Sequence, residues 1–206
     1  MNATHIAGVV LAAGASRRLG TPKQLLLDEG GQSLVARAAS QLLEAGCRPV
    51  VVVLGAEHDA VADTVAHLPV HIVINAGWAE GMGSSIRVSM DWLEAHDDRA
   101  TIRAVLVTAC DIISASSGHF RAIIDTSRYG LLRVASEYNA LSGELVHGIP
   151  ALFPVADWTV LRALQGDRGA RDLFAISGTL SVFLLNGNLD LDTPADVDRW
   201  RAEHSA

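Results

Sequence analysis

The hydrophobic residues of this chain are concentrated in short continuous runs that alternate with longer segments of mixed polarity. Runs of this length without polar alternation are typical of strands buried on both faces of a parallel sheet. Four runs rich in valine, isoleucine and leucine cover residues 6–11, 50–54, 70–74 and 103–109. Weaker runs predict three further strands, at residues 131–136, 146–153 and 180–185.

Helical periodicity links these strands. In the first predicted helix Leu34 and Leu42 share one face, and Gly46 follows at the position where glycine commonly ends a helix. Ser84 and Thr193 are candidates for N-caps of two later helices. The predicted helices lie at residues 33–45, 57–67, 84–95, 116–125, 155–164 and 194–203, with a shorter one inside residues 166–174.

Strands that alternate with helices predict an α/β fold, in which helices cover both faces of a mostly parallel central sheet. We expect one domain over residues 1–206. In such sheets ligands bind beyond the carboxyl ends of the strands. A glycine-containing loop after the first strand, residues 75–83 after the third, and Asp111 after the fourth all belong to that edge. We therefore expect them to meet in one crevice.

Composition narrows the choice of ligand. The formal net charge of -7 disfavours nucleic acid and anionic membrane surfaces as partners. The two cysteines have no paired spacing, which argues against a disulfide framework or a zinc site and favours a reducing, cytoplasmic setting. Lys23 is the single lysine, because the other cationic residues among the 16 are arginines, and it lies in the loop after the first strand.

The loop at residues 14–23, GASRRLGTPK, has the features of a phosphate-binding loop. Its small residues allow backbone N–H groups to approach anionic oxygens, and Arg18 and Lys23 supply positive charge. Gly14 is followed by Ala15 and Ser16, so the dinucleotide fingerprint G-x-G-x-x-G is absent. The Walker sequence is also absent, because Pro22 precedes the lysine and glutamine follows it.

The segment LAAGASRRLGTPK resembles the signature L-A-A-G-x-S-x-R-M-G-x-x-K of nucleotidyltransferases of the molybdenum cofactor cytidylyltransferase type, with Leu19 in place of methionine. Four further segments resemble stretches of that family in the same order along the chain. They are NAGWAEGMGSSI at residues 75–86, GIP at 148–150, GDRGAR at 166–171 and DLDTP at 190–194.

The resemblance implies a three-layer Rossmann-like nucleotidyltransferase fold and transfer of CMP from CTP to the phosphate of molybdopterin, with release of pyrophosphate. It implies that Arg18 and Lys23 neutralise the triphosphate. It implies Mg²⁺ held by Asp111, with Asp190 or Asp192 completing the metal site. The residues expected to bind the nucleotide or the acceptor are Leu11, Ala12, Ala13, Gly14, Ser16, Gly81, Ser84, Ser85 and Arg171. Ala13 matches the L-A-A-G form, whereas relatives that use GTP tend to carry L-A-G-G.

The resemblance weakens on the acceptor side. The family usually has proline two residues after the metal aspartate, whereas Ile112 and Ile113 follow Asp111 here, and residues 138–146 are also atypical. One alternative is therefore a non-catalytic accessory protein that binds the cofactor and delivers it to a molybdenum hydroxylase. Another is an oxidoreductase that uses a nicotinamide cofactor, against which the missing dinucleotide fingerprint counts.

Overall fold

A computed structural model describes residues 5–167, 169–189, 191 and 193–204. Its seven strands form one sheet in the order β3-β2-β1-β4-β6-β5-β7. The strands are β1 (His5–Ala12), β2 (Val50–Leu54), β3 (His71–Ile74), β4 (Ile102–Ala109), β5 (Val134–Asn139), β6 (Leu145–Pro154) and β7 (Leu180–Phe183). The four strong hydrophobic runs are therefore β1 to β4, as the sequence predicts.

The sheet is parallel except at β6. Strand β6 is antiparallel to both β4 and β5, while the remaining pairs are parallel. The expectation of a mostly parallel sheet is confirmed. Because β1, β2 and β4 run in the same direction, their carboxyl ends lie side by side, and the loops that follow them share one edge.

Seven helices occur in the described residues. They are α1 (Leu34–Glu44), α2 (His58–Val65), α3 (Met82–Ala95), α4 (Ser117–Thr126), α5 (Trp158–Leu161), α6 (Arg171–Phe174) and α7 (Pro194–His204). Alternating strand residues face opposite layers. Val10 packs in a cluster with residues of α1, α2 and α4, whereas its neighbour Val9 packs with residues of α3, α5 and α6. These two apolar clusters make the three-layer fold.

Local capping explains several helix bounds. The Ser33 side chain accepts a hydrogen bond from the N–H of Ala36 at the start of α1. Gly46, with φ of 93°, follows the end of α1 in the left-handed conformation that glycine favours. At α7, the Thr193 hydroxyl accepts from the Asp196 N–H at 3.3 Å, and the Asp196 carboxylate accepts from the Thr193 N–H at 2.9 Å.

Two helix predictions are wrong in detail. Ser84 does not cap α3, because the helix begins at Met82 after Gly81, and Ser84 lies inside its first turn. The helix expected at residues 155–164 is a 3₁₀ turn (Val155–Asp157) followed by the short α5. Among the described residues, no helix is both long and apolar enough to cross a membrane.

Candidate active site

The loop after β1 has a compact, hydrogen-bonded shape. Ser16 adopts a left-handed conformation with φ of 48°, and its carbonyl accepts from the N–H groups of Leu19 and Gly20 at 3.0 and 3.1 Å. The Ser16 hydroxyl accepts from the Lys23 N–H at 3.0 Å. Ser16 therefore shapes the loop from within, and it ties the turn to the start of the 3₁₀ helix Lys23–Leu25.

Gln24 is a residue that sequence reasoning missed. Its side chain is buried, with 1% of the residue exposed, and its amide donates to the carbonyls of Ala12 at 2.9 Å and Gly14 at 2.7 Å. These two bonds hold the carboxyl end of β1 against the segment that carries Lys23. A polar residue at the head of the apolar run QLLL was the signal that could have identified it.

Lys23 and Asp111 form an ion pair between the loop after β1 and the turn after β4. Only 18% of the lysine side chain and 14% of the aspartate side chain are exposed. The sequence placed these residues 88 positions apart, and the parallel pairing of β1 with β4 brings them together. The pair therefore places one positive and one negative side chain together in the cleft at this edge of the sheet.

The turn after Asp111 is well defined without the proline that the family resemblance leads one to expect. The Ile113 N–H donates to the Asp111 carbonyl at 2.9 Å, and Arg37 donates from Nη2 to the Ile113 carbonyl at 2.8 Å. Ile113 is buried in a small apolar cluster with Leu34, Leu191 and residues of α7. Packing and these bonds fix the turn in this chain.

Asn75 organises the loop after β3. It is buried, and its amide donates to the hydroxyls of Ser84 at 2.8 Å and Ser85 at 3.0 Å. The Asn75 side-chain oxygen accepts from the Gly77 N–H at 3.0 Å. Ser84, itself 2% exposed, donates to the Gly81 carbonyl at 2.8 Å. Ser84 is therefore engaged inside the loop, and Ser85 is the serine of the pair that reaches the cleft.

The cleft at this edge has a volume of about 350 Å³. It brings together eight of the predicted site residues: Leu11, Ala12, Ala13, Gly14, Lys23, Gly81, Ser85 and Asp111. Arg17 also lines it, with its guanidinium carbon 6.0 Å from the centre of the Trp78 ring. Gly55 leaves room for this ring, because a Cβ there would lie 2.7 Å from the Cβ of Trp78.

Arg18 lies elsewhere in the structure. It lines a separate cavity of about 260 Å³, between the loop after β1 and α7, together with Arg199 and Trp200. The sequence analysis assigned the phosphate-binding role to Arg18 and not to Arg17. Hydrophobic periodicity cannot distinguish two adjacent exposed arginines in a loop. Three other residues considered for the site, Arg168, Asp190 and Asp192, lie outside the described residues.

A second carboxylate, that of Asp167, lines the cleft together with Asp111. Asp167 lines the same cavity, and a Cβ on Gly81 would overlap its carboxylate oxygen. The Gly166 carbonyl accepts from the Gly83 N–H at 2.8 Å, so residues 166–167 cover the amino end of α3. Asp167 belongs to the GDRGAR segment but was not among the predicted site residues, and its carboxylate lies beside Gly81 at the start of α3.

An ion pair holds this covering segment in place. Arg87 on α3 forms two hydrogen bonds to the Glu80 carboxylate, at 2.6 and 2.7 Å, and also donates to the Leu164 carbonyl. The Gly166 N–H donates to Glu80 at 3.3 Å. The bonds from Arg87, and then that from Gly166, lower the pKa of the Glu80 carboxyl to about 2. Residues 80 and 87 thus join the loop after β3 to residues 164–167.

A further cavity, of about 220 Å³, opens from the same floor. It shares Met82, Ala109, Asp111 and Asp167 with the cleft, so the two cavities are neighbours. Arg171, at the start of α6, lines this second cavity and not the first. Eight of the predicted residues therefore line the cleft around Lys23, Arg171 lines the neighbouring cavity, and Asp111 lines both.

Both cysteines are buried and unpaired within the described part of the chain. Burial raises the pKa of the Cys47 thiol to about 12, and burial, followed by the neighbouring Asp111 charge, raises that of Cys110 further. A raised pKa keeps each thiol protonated, so neither is a nucleophile at neutral pH. No group of three or more histidine, cysteine, aspartate or glutamate side chains suited to a metal ion occurs in the described residues.

Comparison with known proteins places this site in a family. Residues 8–182 match the sequence model of the MobA-like NTP transferase domain. Nicotine blue oxidoreductase from Paenarthrobacter nicotinovorans is 34% identical over 169 residues, which make up 81% of this chain and 79% of that protein.

Solved structures share the fold over nearly the whole chain. Rv0371c from Mycobacterium tuberculosis H37Rv is 28% identical with a TM-score of 0.78, over 97% of this chain and 98% of that one. A complex of Rv0371c with manganese has a TM-score of 0.74 at 26% identity, over 95% and 97% of the two chains. A nucleotidyl transferase from Methanothermobacter thermautotroptrophicus, Mth528, has a TM-score of 0.74 at 19% identity, over 98% of each chain.

Proposed function

This chain belongs to the family of MobA-like NTP transferase domains and is a nucleotidyltransferase, and we propose that it transfers CMP from CTP to the phosphate of molybdopterin. In this reaction an oxygen of the acceptor phosphate attacks the α-phosphorus of CTP. The bond from that phosphorus to the β-phosphate oxygen breaks, and pyrophosphate leaves. The acceptor phosphate is already ionised, so no general base is needed.

The observation that carries the proposal is the Lys23–Asp111 pair at the floor of a cleft formed by residues 11–14. Two anions must meet in this reaction, so catalysis depends mainly on positioning and on neutralising charge. The Lys23 ammonium supplies a compact positive charge for the triphosphate and for the departing pyrophosphate.

The exposed arginines of the loop add to that charge. Arg17 lines the cleft beside Trp78, and we propose that it contacts the triphosphate. Arg18, our first candidate for this role, lines the neighbouring cavity and remains a second candidate. Small residues at positions 12–14 leave the backbone of the loop open to phosphate oxygens.

The donor atoms around the cleft fit a hard divalent cation. Asp111 and Asp167 both line it, and carboxylate oxygens together with phosphate oxygens are the ligands that Mg²⁺ prefers. We propose that Asp111 holds Mg²⁺ with Asp190 or Asp192, and that Asp167 is a further candidate ligand. The manganese complex of Rv0371c supports a divalent cation in a relative. When bound, the ion would neutralise phosphate charge.

CTP is proposed as the donor because of Ala13, which gives the L-A-A-G form of the loop. Gly81 and Ser85 are proposed to contact the base and ribose, since both line the cleft. Ser84 supports them indirectly through its bonds with Asn75 and Gly81. On the acceptor side, Arg171 is proposed to bind an anionic group of the pterin substrate.

Pyrophosphate release tests the proposal. The full chain is incubated with Mg²⁺ and molybdopterin, and CTP, GTP and ATP are compared as donors. We expect release with CTP that depends on both the metal and the acceptor. Equal or faster release with GTP would contradict the choice of donor. Binding of CTP without any release would contradict the catalytic assignment.

Two other functions each have one observation in their favour. The 34% identity to nicotine blue oxidoreductase favours a redox reaction, in which case NADPH and not CTP should stabilise the chain. The unusual turn after Asp111 favours an accessory protein that carries the cofactor to a molybdenum hydroxylase. An accessory protein should bind molybdopterin and CTP without turnover, so the two alternatives and the transferase give different results with the same ligands.

A further inference from the structure

The cavity lined by Arg171, which we take as the acceptor site, has in its wall an aromatic side chain that no motif identified. Tyr138, on β5, lines the cavity of about 220 Å³ that begins at Asp111. It also lines an adjoining cavity of about 380 Å³, together with Arg171 and Gly187. Tyr138 therefore stands at the boundary of two spaces that both reach Arg171.

Two glycines fix the position of this ring. A Cβ on Gly148 would lie 2.5 Å from the phenol oxygen, and a Cβ on Gly187 would lie 2.7 Å from Cγ of the ring. Neither glycine has a φ in the left-handed region, so backbone conformation does not require glycine there. The absence of a side chain at both positions makes room for Tyr138. The chain thus holds the ring in one place, at a cavity wall and not in either main apolar cluster.

The rest of the cavity has a matching chemistry. Met82, Ile149 and Phe174 give it apolar walls, and Arg171 gives it a cationic end. Among the described residues, nothing forms an ion pair or hydrogen bond with the Arg171 guanidinium. An aromatic ring, apolar walls and an unpaired guanidinium suit a flat conjugated ring system that carries an anionic group.

We propose that Tyr138 determines specificity for the acceptor: its ring contacts the planar heteroaromatic group, while Arg171 binds the anionic substituent. This inference rests on the proposed function, since it takes the cavity beside Asp111 to be the acceptor site. It goes further in naming the feature of the acceptor that is recognised. A sugar phosphate without a conjugated ring would lose the contact with Tyr138.

Direct binding tests the inference without requiring turnover. The full chain is titrated with neopterin monophosphate, and the fluorescence anisotropy of the pterin ring reports binding. We expect Tyr138→Leu to raise the Kd by about tenfold or more, the effect expected when a stacked heteroaromatic ring loses an aromatic partner. Tyr138→Phe keeps the ring and should stay within about twofold of the parent Kd. Tyr129→Leu changes the other tyrosine, which is 66% exposed and lines none of these cavities, and should have no effect.

A double-mutant cycle separates contact from general damage. Gly148→Ala places a Cβ 2.5 Å from the phenol oxygen, so it should displace the ring and raise the Kd by about fivefold or more. It should have no added effect in the Tyr138→Leu background, because leucine lacks the phenol atoms that this Cβ would meet. Additive effects of the two changes would overturn the inference. So would unchanged binding in Tyr138→Leu, or equal binding of ribose 5-phosphate and neopterin monophosphate. If Tyr138→Leu does not fold, Tyr138→Phe and Gly148→Ala decide the matter. Weaker binding in Tyr138→Phe, or unchanged binding in Gly148→Ala, would overturn the inference.

The outcome for the proposed function is measured separately. Failure of CTP-dependent pyrophosphate release with intact, Tyr138-dependent pterin binding would refute the transferase assignment and leave this inference standing. Normal pyrophosphate release together with pterin binding that does not depend on Tyr138 would refute this inference and leave the transferase assignment standing.

Discussion

The proposed donor side of the site, around Lys23, and the proposed acceptor side, around Arg171, are built differently. On the donor side, Gln24, Ser16 and Asn75 hold their loops through hydrogen bonds between buried or half-buried groups close in sequence. On the acceptor side, the walls come from elements far apart in the chain, and Arg171 and Tyr138 each line two adjoining cavities. The donor side is the more rigidly specified of the two.

This difference fits what each side is proposed to recognise. A triphosphate needs backbone groups and charges in fixed places, so the chain uses short-range bonds that the loop sequence itself encodes. An acceptor needs a cavity of the right shape, and shape depends on how β5, β6 and α6 pack. Changes on the donor side should therefore affect every reaction of the protein, whereas changes on the acceptor side should alter which acceptor is used.

The largest effect should come from Asp111, which both sides share. We expect Asp111→Asn to lower pyrophosphate release by about 100-fold or more, because the substitution removes the carboxylate proposed to bind the metal. The matched control is Asp59→Asn, since the Asp59 side chain is 100% exposed and does not line the cleft. Comparable rates of pyrophosphate release in Asp111→Asn and the parent would show that the Asp111 carboxylate is not needed for the reaction.

Lys23→Ala should have the next largest effect. Loss of a charge contact to the transition state typically costs at least about tenfold in rate. The chain has no other lysine that could substitute. Steady-state pyrophosphate release measures the effect, with Arg162→Ala as the control because its pairing with Asp91 is exposed. Parent-like kinetics in Lys23→Ala would show that the ammonium does not contact the reacting phosphates.

Gln24→Leu tests whether the donor side depends on its internal bonds. The change strips the carbonyls of Ala12 and Gly14 of their donor, so the free energy of unfolding should fall by about 1–3 kcal/mol. CTP affinity should fall with it. Gln32→Leu is the control, because that amide bonds a single hydroxyl, that of Ser40. Denaturant unfolding and CTP titration make the comparison, and equal behaviour of the two variants would refute the role given to Gln24.

The smallest effect should be the acid dependence due to Glu80. Its pKa of about 2 in the folded chain is below the ordinary value of 4.5, so its ion pair stabilises the fold above about pH 4.5, and the contribution is lost as pH falls towards 2. The pair is exposed, so the shift in melting temperature should be slight. Glu80→Gln should therefore melt at a slightly lower temperature than the parent at pH 7, and the gap should close towards pH 3. A gap that widens on acidification would contradict this sign.

The sequence accounts well for the parts of the fold that depend on local pattern. The four strong apolar runs, the helix that ends before Gly46 and the capped helix after Thr193 were all predictable, because each depends on neighbours along the chain. The direction of β6 was not predictable, since an apolar run looks the same in either orientation.

For the site, the motifs correctly indicated that the loop after β1, the loop after β3 and Asp111 would meet. They could not show that Ser84 bonds inward, that Arg17 lines the cleft while Arg18 faces another cavity, or that Asp167 lies over Gly81. Those facts depend on side-chain packing between segments as much as 86 residues apart, which no local pattern contains.

Ligand-induced stabilisation tests the central claim most directly. Melting temperatures of the full chain are measured with CTP, GTP, ATP and NADPH, each with and without Mg²⁺, for the parent and Asp111→Asn. Because a ligand that binds only the folded state raises its stability by mass action, CTP with Mg²⁺ should give the largest increase, and Asp111→Asn should abolish the part that depends on the metal. An increase with NADPH and none with CTP would contradict the account.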